Sequence, residues 1–256
     1  MQRLVTALLL IPLFVYVVLW SPFPVLCAVA ALVALFCFHE YAGLVAHHNI
    51  QPPGLFGYAS GLVLLFVPQN QIAFAVSFVL LAMMLSLRLD NPPAALPFAS
   101  ALVLGVFYIF GGLRFAIELR GISPYWLLLA LSLNWAGDSA ALYFGRSFGR
   151  HKLSPQWSPG KSWEGAIASV AASLIYAGIF LHYLLPAVPL LEGLLIGLVA
   201  NVAGQFGDIC ESALKRGAGA KDSGAMLPGH GGWLDRIDSS LFALPVVYLL
   251  VTSLHW

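Results

Sequence analysis

The chain is predicted to be all-α, a polytopic transmembrane bundle of about nine spans, and three observations carry that prediction. Of 256 residues, 60% are hydrophobic and 9% are charged, with a mean hydropathy of +0.88, far outside the soluble globular range. Apolar runs recur almost end to end, at lengths near the roughly 20 residues that cross a bilayer as a helix. The charges gather in two polar segments, 145–164 and 211–238.

Taken in order, the apolar segments fall at 4–20, 24–46, 55–67, 72–88, 95–113, 124–144, 165–185, 190–210 and 239–255. Arg3 ahead of the first run and Ala28-Val29-Ala30 beyond it imitate a secretory signal, but Ser21-Pro22-Phe23-Pro24 interrupts the run first and apolar sequence resumes at once. The first segment therefore reads as an uncleaved span. The third and fourth are short and parted only by Pro68-Gln69-Asn70-Gln71; they read as two crossings, a tight hairpin or a re-entrant pair. Nine spans put Arg3, Arg88, Arg146, Arg150, Lys152, Lys161, Lys215, Arg216, Lys221 and Arg236 on one side and only Arg114 and Arg120 on the other. By the positive-inside rule the richer side is cytoplasmic, with the N-terminus inside and Trp256 outside. The whole of 1–256 reads as one integral membrane domain: helices of 1–120 as scaffold and surface for dimer contacts, and a catalytic half, 121–256, with both polar loops cytoplasmic.

Composition also excludes. No basic stripe interleaved with aromatics exists for a nucleic acid backbone. Cys27, Cys37 and Cys210 lack any Cys-x-x-Cys spacing, so neither a disulfide framework nor zinc is expected, and all three read as packing residues.

The segment 211–238 holds four of the twelve Lys/Arg and four of the eleven Asp/Glu, threaded with glycines. Opposite charges are costly near lipid unless they bind something. Asp208, Glu211, Ser212 and Lys215 are spaced i, i+3, i+4 and i+7, one face of a helix leaving the membrane, and Asp235 and Asp238 share a face three residues apart. Such carboxylates, with Lys215, Arg216, Lys221 and Arg236 for phosphates, point to a magnesium-assisted phosphate site. Spacing alone leaves Asp222 and Asp238 as alternatives to Asp208 and Asp235. The plainer reading of the same charges is interfacial ion pairing, each pair worth little. His230 reads as a phosphate donor, a general acid or a loop residue without a role.

Asp138 falls inside the sixth span, four residues after Asn134; a carboxylate there is expected to face a polar cavity open to the cytoplasmic side. In the loop 145–164, Gly160-Lys161-Ser162 imitates a phosphate-binding P-loop, but Pro155 stands where its first glycine is required and no buried strand is expected before it. Ser162 instead reads as a helix N-cap with Glu164 in the first turn, in a basic loop whose charges suit lipid head groups or a triphosphate. His39 and Glu40, at the end of the second span, read as solvated interfacial residues.

These residues resemble the signature of the phosphatidate cytidylyltransferase (CDP-diacylglycerol synthase) family. It runs Ser-x-apolar-Lys-Arg, four residues, Lys-Asp-x-small, then apolar-Pro-x-His-Gly-Gly-apolar-x-Asp-Arg-apolar-Asp. Here it is Ser212, Lys215, Arg216, Lys221, Asp222, Gly224, Leu227, Pro228, His230, Gly231, Gly232, Trp233, Asp235, Arg236, Ile237 and Asp238. The middle loop is also similar, through Asp138, Tyr143, Gly145-Arg146, Gly149-Arg150, Lys152 and Ser158 to Gly165; Ser139 and Ser162 stand where threonine is usual. The resemblance covers about residues 130–256 and implies cytidylyl transfer from CTP to phosphatidic acid at a bacterial-type inner membrane. It also implies Mg2+ at Asp208 and Asp235, with room for a second, monovalent cation such as K+. It implies phosphate contacts from Lys215, Arg216, Lys221 and Arg236, assistance from Ser212, CTP contacts from Arg146, Lys161 and Ser162, a cavity shaped by Asp138, and a homodimer. Two competing readings are weaker. The Asp-Gly-x-x-Ala-Arg motif of CDP-alcohol phosphotransferases is absent, and an ion-coupled carrier using Asp138 and Asp208 would place charge at mid-membrane in several spans.

Overall fold

The computed structural model describes residues 12–66, 71–226 and 231–256. Arg3, the beginning of the first predicted span, the link Pro68-Gln69-Asn70, and Leu227, Pro228 and His230 of the signature lie outside the described residues.

Residues 12–19 are helical, and nine helices follow among the described residues. These are α1 (Phe23–His47), α2 (Gly54–Phe66), α3 (Gln71–Ser86), α4 (Ala95–Gly105), α5 (Gly112–Ile122), α6 (Pro124–Phe148), α7 (Trp163–Leu184), α8 (Leu190–Gly217) and α9 (Leu234–Ser253). A π-helical turn, Val106–Gly111, joins α4 to α5, so that one apolar helical stretch runs Pro92–Ile122. The fold is all-α as predicted, apart from a hairpin of β1 (Lys152–Ser154) and β2 (Ser158–Ser162), with Lys152 opposite Ser162 and Ser154 opposite Ser158.

Local chemistry explains the boundaries. Ser123, extended, accepts from Tyr125 N–H and Pro124 occupies the first turn of α6, where a missing N–H costs nothing. Gly149 ends that helix. Ser162 caps α7 by accepting from Gly165 N–H at 3.2 Å, with Glu164 in the first turn, as the spacing predicts. Pro186 follows the end of α7, and Gly219, at φ +67, turns the chain after α8.

Five stretches are long and apolar enough to cross a membrane: Phe23–His47, Pro92–Ile122, Pro124–Phe148, Trp163–Leu184 and Leu190–Gly217. The chain is thus an integral membrane protein. Helices α2 and α3 have 13 and 16 residues, about 20 and 24 Å at 1.5 Å per residue, short of a hydrocarbon core of roughly 30 Å. Helix α9 has 20 residues but carries Asp235, Arg236 and Asp238 in its first two turns. The fifth predicted span is extended: Arg114 and Arg120, placed in an outer loop by the sequence, are helical residues of α5. Arg114 is buried and donates to Leu64 O at 2.9 Å, and Arg120 donates to Ser21 O. A carbonyl near a helix end takes one N–H of each guanidinium, which offsets part of the cost of placing that charge in an apolar stretch.

The chain forms two compact units. One comprises residues 1–22, 115–213 and 236–256. In it, α7 turns small and polar residues inward, Gly165, Ser169, Ser173 and Ala177, while Ile167, Ile175 and Ile179 face out. Helices without a hydrophobic drive between them associate through such small and hydrogen-bonding faces. Gly137 of α6 meets this face so closely that a Cβ would strike Ser169, Ser173 and Asn201. The other unit comprises residues 23–114 and 214–235. Here Phe38, Tyr41, Phe110, Leu64 and Leu102 form a buried apolar centre, and Tyr41 donates to Ala101 O at 2.8 Å.

Candidate active site

Two constellations carry the charged residues, one in each unit. In the first unit, α8 presents Asn201, Gln205, Asp208 and Ser212, a stripe at i, i+4, i+7 and i+11. Asn201 Nδ2 donates to Ser169 and Ser173 Oγ at 3.0 and 2.8 Å, and Gln205 Nε2 to Asn201 Oδ1 at 2.7 Å. The hairpin delivers Lys161 to this stripe: its Nζ lies 2.7 Å from Asp208 Oδ2 and reaches Gln205 O at 3.4 Å. Ser212 Oγ donates to Asp208 Oδ1 at 3.4 Å. Asp138 of α6 is within electrostatic range of both Asp208 and Lys161. The sequence reading passed over Asn201 and Gln205. Their helical spacing ahead of Asp208 was the available signal. Asn134 is buried against α8, its side chain filling the space at Gly204.

Ser162 is buried, its hydroxyl capping α7 with Gly145 and Gly149 packed around it. Beside it, His151 Nδ1 and Glu164 Oε1 pair at 2.7 Å across the hairpin base. Arg146 and Arg150 are exposed and form no ion pair among the described residues. Asp238 is buried and accepts from Ser239 N–H at 2.7 Å.

In the second unit, Lys215 and Asp235 form a pair at 2.6 Å, with side chains only 12% and 6% exposed. The other oxygen of Asp235 accepts from Gly232 N–H at 2.8 Å, Ser223 N–H at 2.9 Å and Ser223 Oγ at 3.0 Å. Burial alone would raise the pKa of this carboxyl, but the Lys215 ammonium and the Gly232 and Ser223 amides outweigh it and hold it below the usual carboxylate range. Arg216 is exposed and donates to Ala220 O; Lys221 and Asp222 are exposed. Arg236, which opens the first unit's part of α9, is exposed as well.

Glu40 corrects the sequence reading. Far from solvated, it is 4% exposed, and accepts from Trp233 N–H at 3.0 Å, Leu234 N–H at 2.9 Å and Ser223 Oγ at 2.9 Å. A carboxylate among apolar neighbours in sequence gives no sign of partners nearly two hundred positions away. The cysteine expectation holds for Cys37 alone: it is buried, whereas Cys27 is half-buried and Cys210 exposed, because α8 turns Cys210 off its polar stripe.

Magnesium can be tested against these donors. Asp208 and Asp235 each point one oxygen at a lysine ammonium, a position where a hard cation would compete, while the second oxygen of Asp235 is filled by three donors. No cluster of three or more His, Cys, Asp or Glu suited to a metal occurs among the described residues. Asp208 Oδ1, met by Ser212 Oγ at 3.4 Å, suits an ion that takes one carboxylate oxygen and completes its shell with water and phosphate, whereas Asp235 would first have to give up the Lys215 ammonium.

A family model described as the Cytidylyltransferase family matches residues 1–254. The chain belongs to that family. Among relatives, it is 34% identical to a protein named phosphatidate cytidylyltransferase from Bacillus subtilis (strain 168) over 266 residues, covering 98% of this chain and 97% of the relative. Proteins of the same name from Staphylococcus haemolyticus (strain JCSC1435) and Staphylococcus aureus (strain COL) are each 32% identical, covering 98% and 97% of this chain and 99% and 98% of their own lengths. Membership in this cytidylyltransferase family spans both units, so the helices of 23–114 are as much part of the match as the signature.

Proposed function

We propose that this chain transfers the cytidylyl group of CTP to phosphatidate, giving CDP-diacylglycerol and pyrophosphate. The observation that carries the reading is the near full-length likeness to enzymes of that name, combined with an uninterrupted charged signature over Ser212–Asp238.

A phosphatidate oxygen forms a bond to the α-phosphorus of CTP as the bond from that phosphorus to the bridging β-oxygen breaks, and pyrophosphate leaves with the electron pair. The attacking phosphate monoester is already ionised at neutral pH, so the protein's work is positioning and charge neutralisation. The exposed Arg146, Arg216, Lys221 and Arg236 would hold the triphosphate and the departing pyrophosphate, with arginine suited to two phosphate oxygens at once. Lys161 and Lys215, each already on a carboxylate, would orient Asp208 and Asp235. Asp138 and Ser212 would border the place where the lipid phosphate meets the nucleotide, with Ser162 fixing Lys161 through the cap of α7. Asp208 and Asp235 would supply carboxylate oxygens to Mg2+, and a monovalent ion such as K+ could join it. The metal, when bound, neutralises phosphate charge. Asp222, Asp238 and His230 complete the set of candidates.

The N-terminus and the segments 145–164 and 211–238 are proposed to face the cytoplasm and Trp256 the outside of the cytoplasmic membrane, in a homodimer whose lipid substrate keeps its acyl chains in the bilayer. The test is incubation of detergent-purified protein with phosphatidate, labelled CTP and Mg2+. A labelled lipid is expected, and its absence with intact protein overturns the assignment.

A further inference from the structure

The signature segment is held from outside itself by a buried acid that no sequence motif marks. Glu40 belongs to α1, yet among the described residues its carboxylate accepts hydrogen bonds from Ser223, Trp233 and Leu234. Oε1 accepts from Trp233 N–H at 3.0 Å; Oε2 accepts from Leu234 N–H at 2.9 Å and Ser223 Oγ at 2.9 Å. Trp233 directly precedes α9 and Leu234 opens it; the first amides of a helix lack partners within it, and a carboxylate placed there satisfies both N–H groups and suits the positive end of the helix dipole. The fit is close. A Cβ at Gly224 would come within 2.6 Å of Glu40 Oε1, and one at Gly232 would strike Oε2 and Ser223 Oγ. The Trp233 ring stacks on Phe36, one turn earlier on α1, at 5.6 Å.

Ser223 joins this acid to the next. Its hydroxyl lies 2.9 Å from Glu40 Oε2 and 3.0 Å from Asp235 Oδ2, and it accepts from Asp235 N–H at 3.3 Å. One hydroxyl proton serves two carboxylates. Asp235 Oδ2 already holds the Ser223 and Gly232 amides, so Asp235 cannot turn without disturbing both ends of the loop that Glu40 grips. Glu40 itself is 4% exposed, and both of its oxygens accept hydrogen bonds from the loop stems.

We propose that Glu40 is a positioning residue: its carboxylate pins both stems of the signature loop, at Ser223 and at Trp233-Leu234, and thereby fixes the direction in which Asp235 faces. The inference rests on the proposed cytidylyl transfer for its kinetic consequence but not for its structural one.

The test is Glu40→Gln, which keeps the volume but must set an amide N–H2 against at least one of the three donors. A buried donor left facing a donor costs enough to open a loop locally and to lower the rate about tenfold or more. Two readouts are taken. In a background without Cys27, Cys37 and Cys210, a cysteine at the exposed Ala225 reports loop opening by its thiol labelling rate. A second cysteine, at Gln156 in the other unit, reports general loosening. With Glu40→Gln, labelling at 225 should rise about fivefold or more while 156 stays unchanged, kcat should fall about tenfold, and KM for CTP should move less than about twofold. Glu40→Asp should recover part of both losses. Wild-type labelling at 225 together with wild-type kcat overturns the proposal, and so does an equal rise at both positions. If Glu40→Gln does not accumulate, Ser223→Ala decides. It cuts the link between the acids but leaves two amides on Glu40, and unchanged labelling and kcat there overturn the proposal. Should the wild-type protein make no CDP-diacylglycerol, the functional reading fails, and labelling at 225 still judges Glu40.

Discussion

Replacing Asp235 by Asn tests the central pair of the signature. Asp235 takes four hydrogen bonds, from Lys215 Nζ, Gly232 N–H, Ser223 N–H and Ser223 Oγ. An amide can keep one side only. With its nitrogen toward Lys215, an N–H2 faces an ammonium; with its nitrogen the other way, it faces two amide donors. The Lys215 ammonium, on a side chain 12% exposed, then loses the carboxylate 2.6 Å away. Breaking such a pair from one side costs about 3–5 kcal/mol when fully buried, and the partial exposure here places the expectation near 3 kcal/mol. In a chain of this length that is a fall in Tm of roughly 6–12 °C. Lys215→Met alone should cost less, because Asp235 keeps three donors. The double variant Asp235→Asn with Lys215→Met should regain about 2 kcal/mol relative to the sum of the single losses, since both members of the pair are then removed together. Thermal unfolding in detergent measures stability, and labelled-CTP turnover measures activity, which should be lost in both Asp235 variants. Strict additivity in stability would show that the two side chains do not act as a pair. Turnover at the wild-type rate in Asp235→Asn would remove its carboxylate from the chemistry.

Three further outcomes are expected. Asp208→Ala should abolish turnover at every Mg2+ concentration without loss of expression, because Lys161 loses the carboxylate that holds it at 2.7 Å; wild-type rates at low Mg2+ would place the cation elsewhere. Cysteines at Gln156 and Ala220, in the background lacking native cysteines, should react with impermeant reagents from the cytoplasmic side only, and one added after Trp256 from outside only; labelling of 156 and 220 from opposite faces would refute the even number of crossings between them. Arg216→Ala and Lys221→Ala should each lose about a hundredfold in kcat/KM, with Arg216→Lys a poor rescue, and full activity of the lysine variant would show that the guanidinium fork is unused.

Much of the site was legible because its residues lie on single helices or in one short segment. Asp208, Ser212 and Lys215 are related by helical spacing alone, and Ser162 is recognisable as a cap by the sequence around it. Asn201 and Gln205 extend the same stripe and went unread because uncharged amides in a span look like interhelical packing. Glu40 and Ser223 were illegible for a different reason. Ser223 stands at a variable position of the signature, and Glu40 is a lone acid in an apolar run; their meaning is a contact between α1 and residue 223, which no local pattern encodes.

By itself the sequence determined that this chain is a helical membrane protein with much of its charge gathered at two polar segments. Hydropathy and charge placement are properties of composition along the chain, and lipid enforces them before any helix meets another. Tertiary structure decided which charges were left open and which were tied down. Arg114 became a buried donor to Leu64 O, Lys161 and Lys215 became partners of particular carboxylates, and Glu40 became the buried anchor of the signature loop. The physical reason is that a charge in an apolar setting is stable only with a partner at about 3 Å, and the fold, not the order of residues, sets which groups come that close.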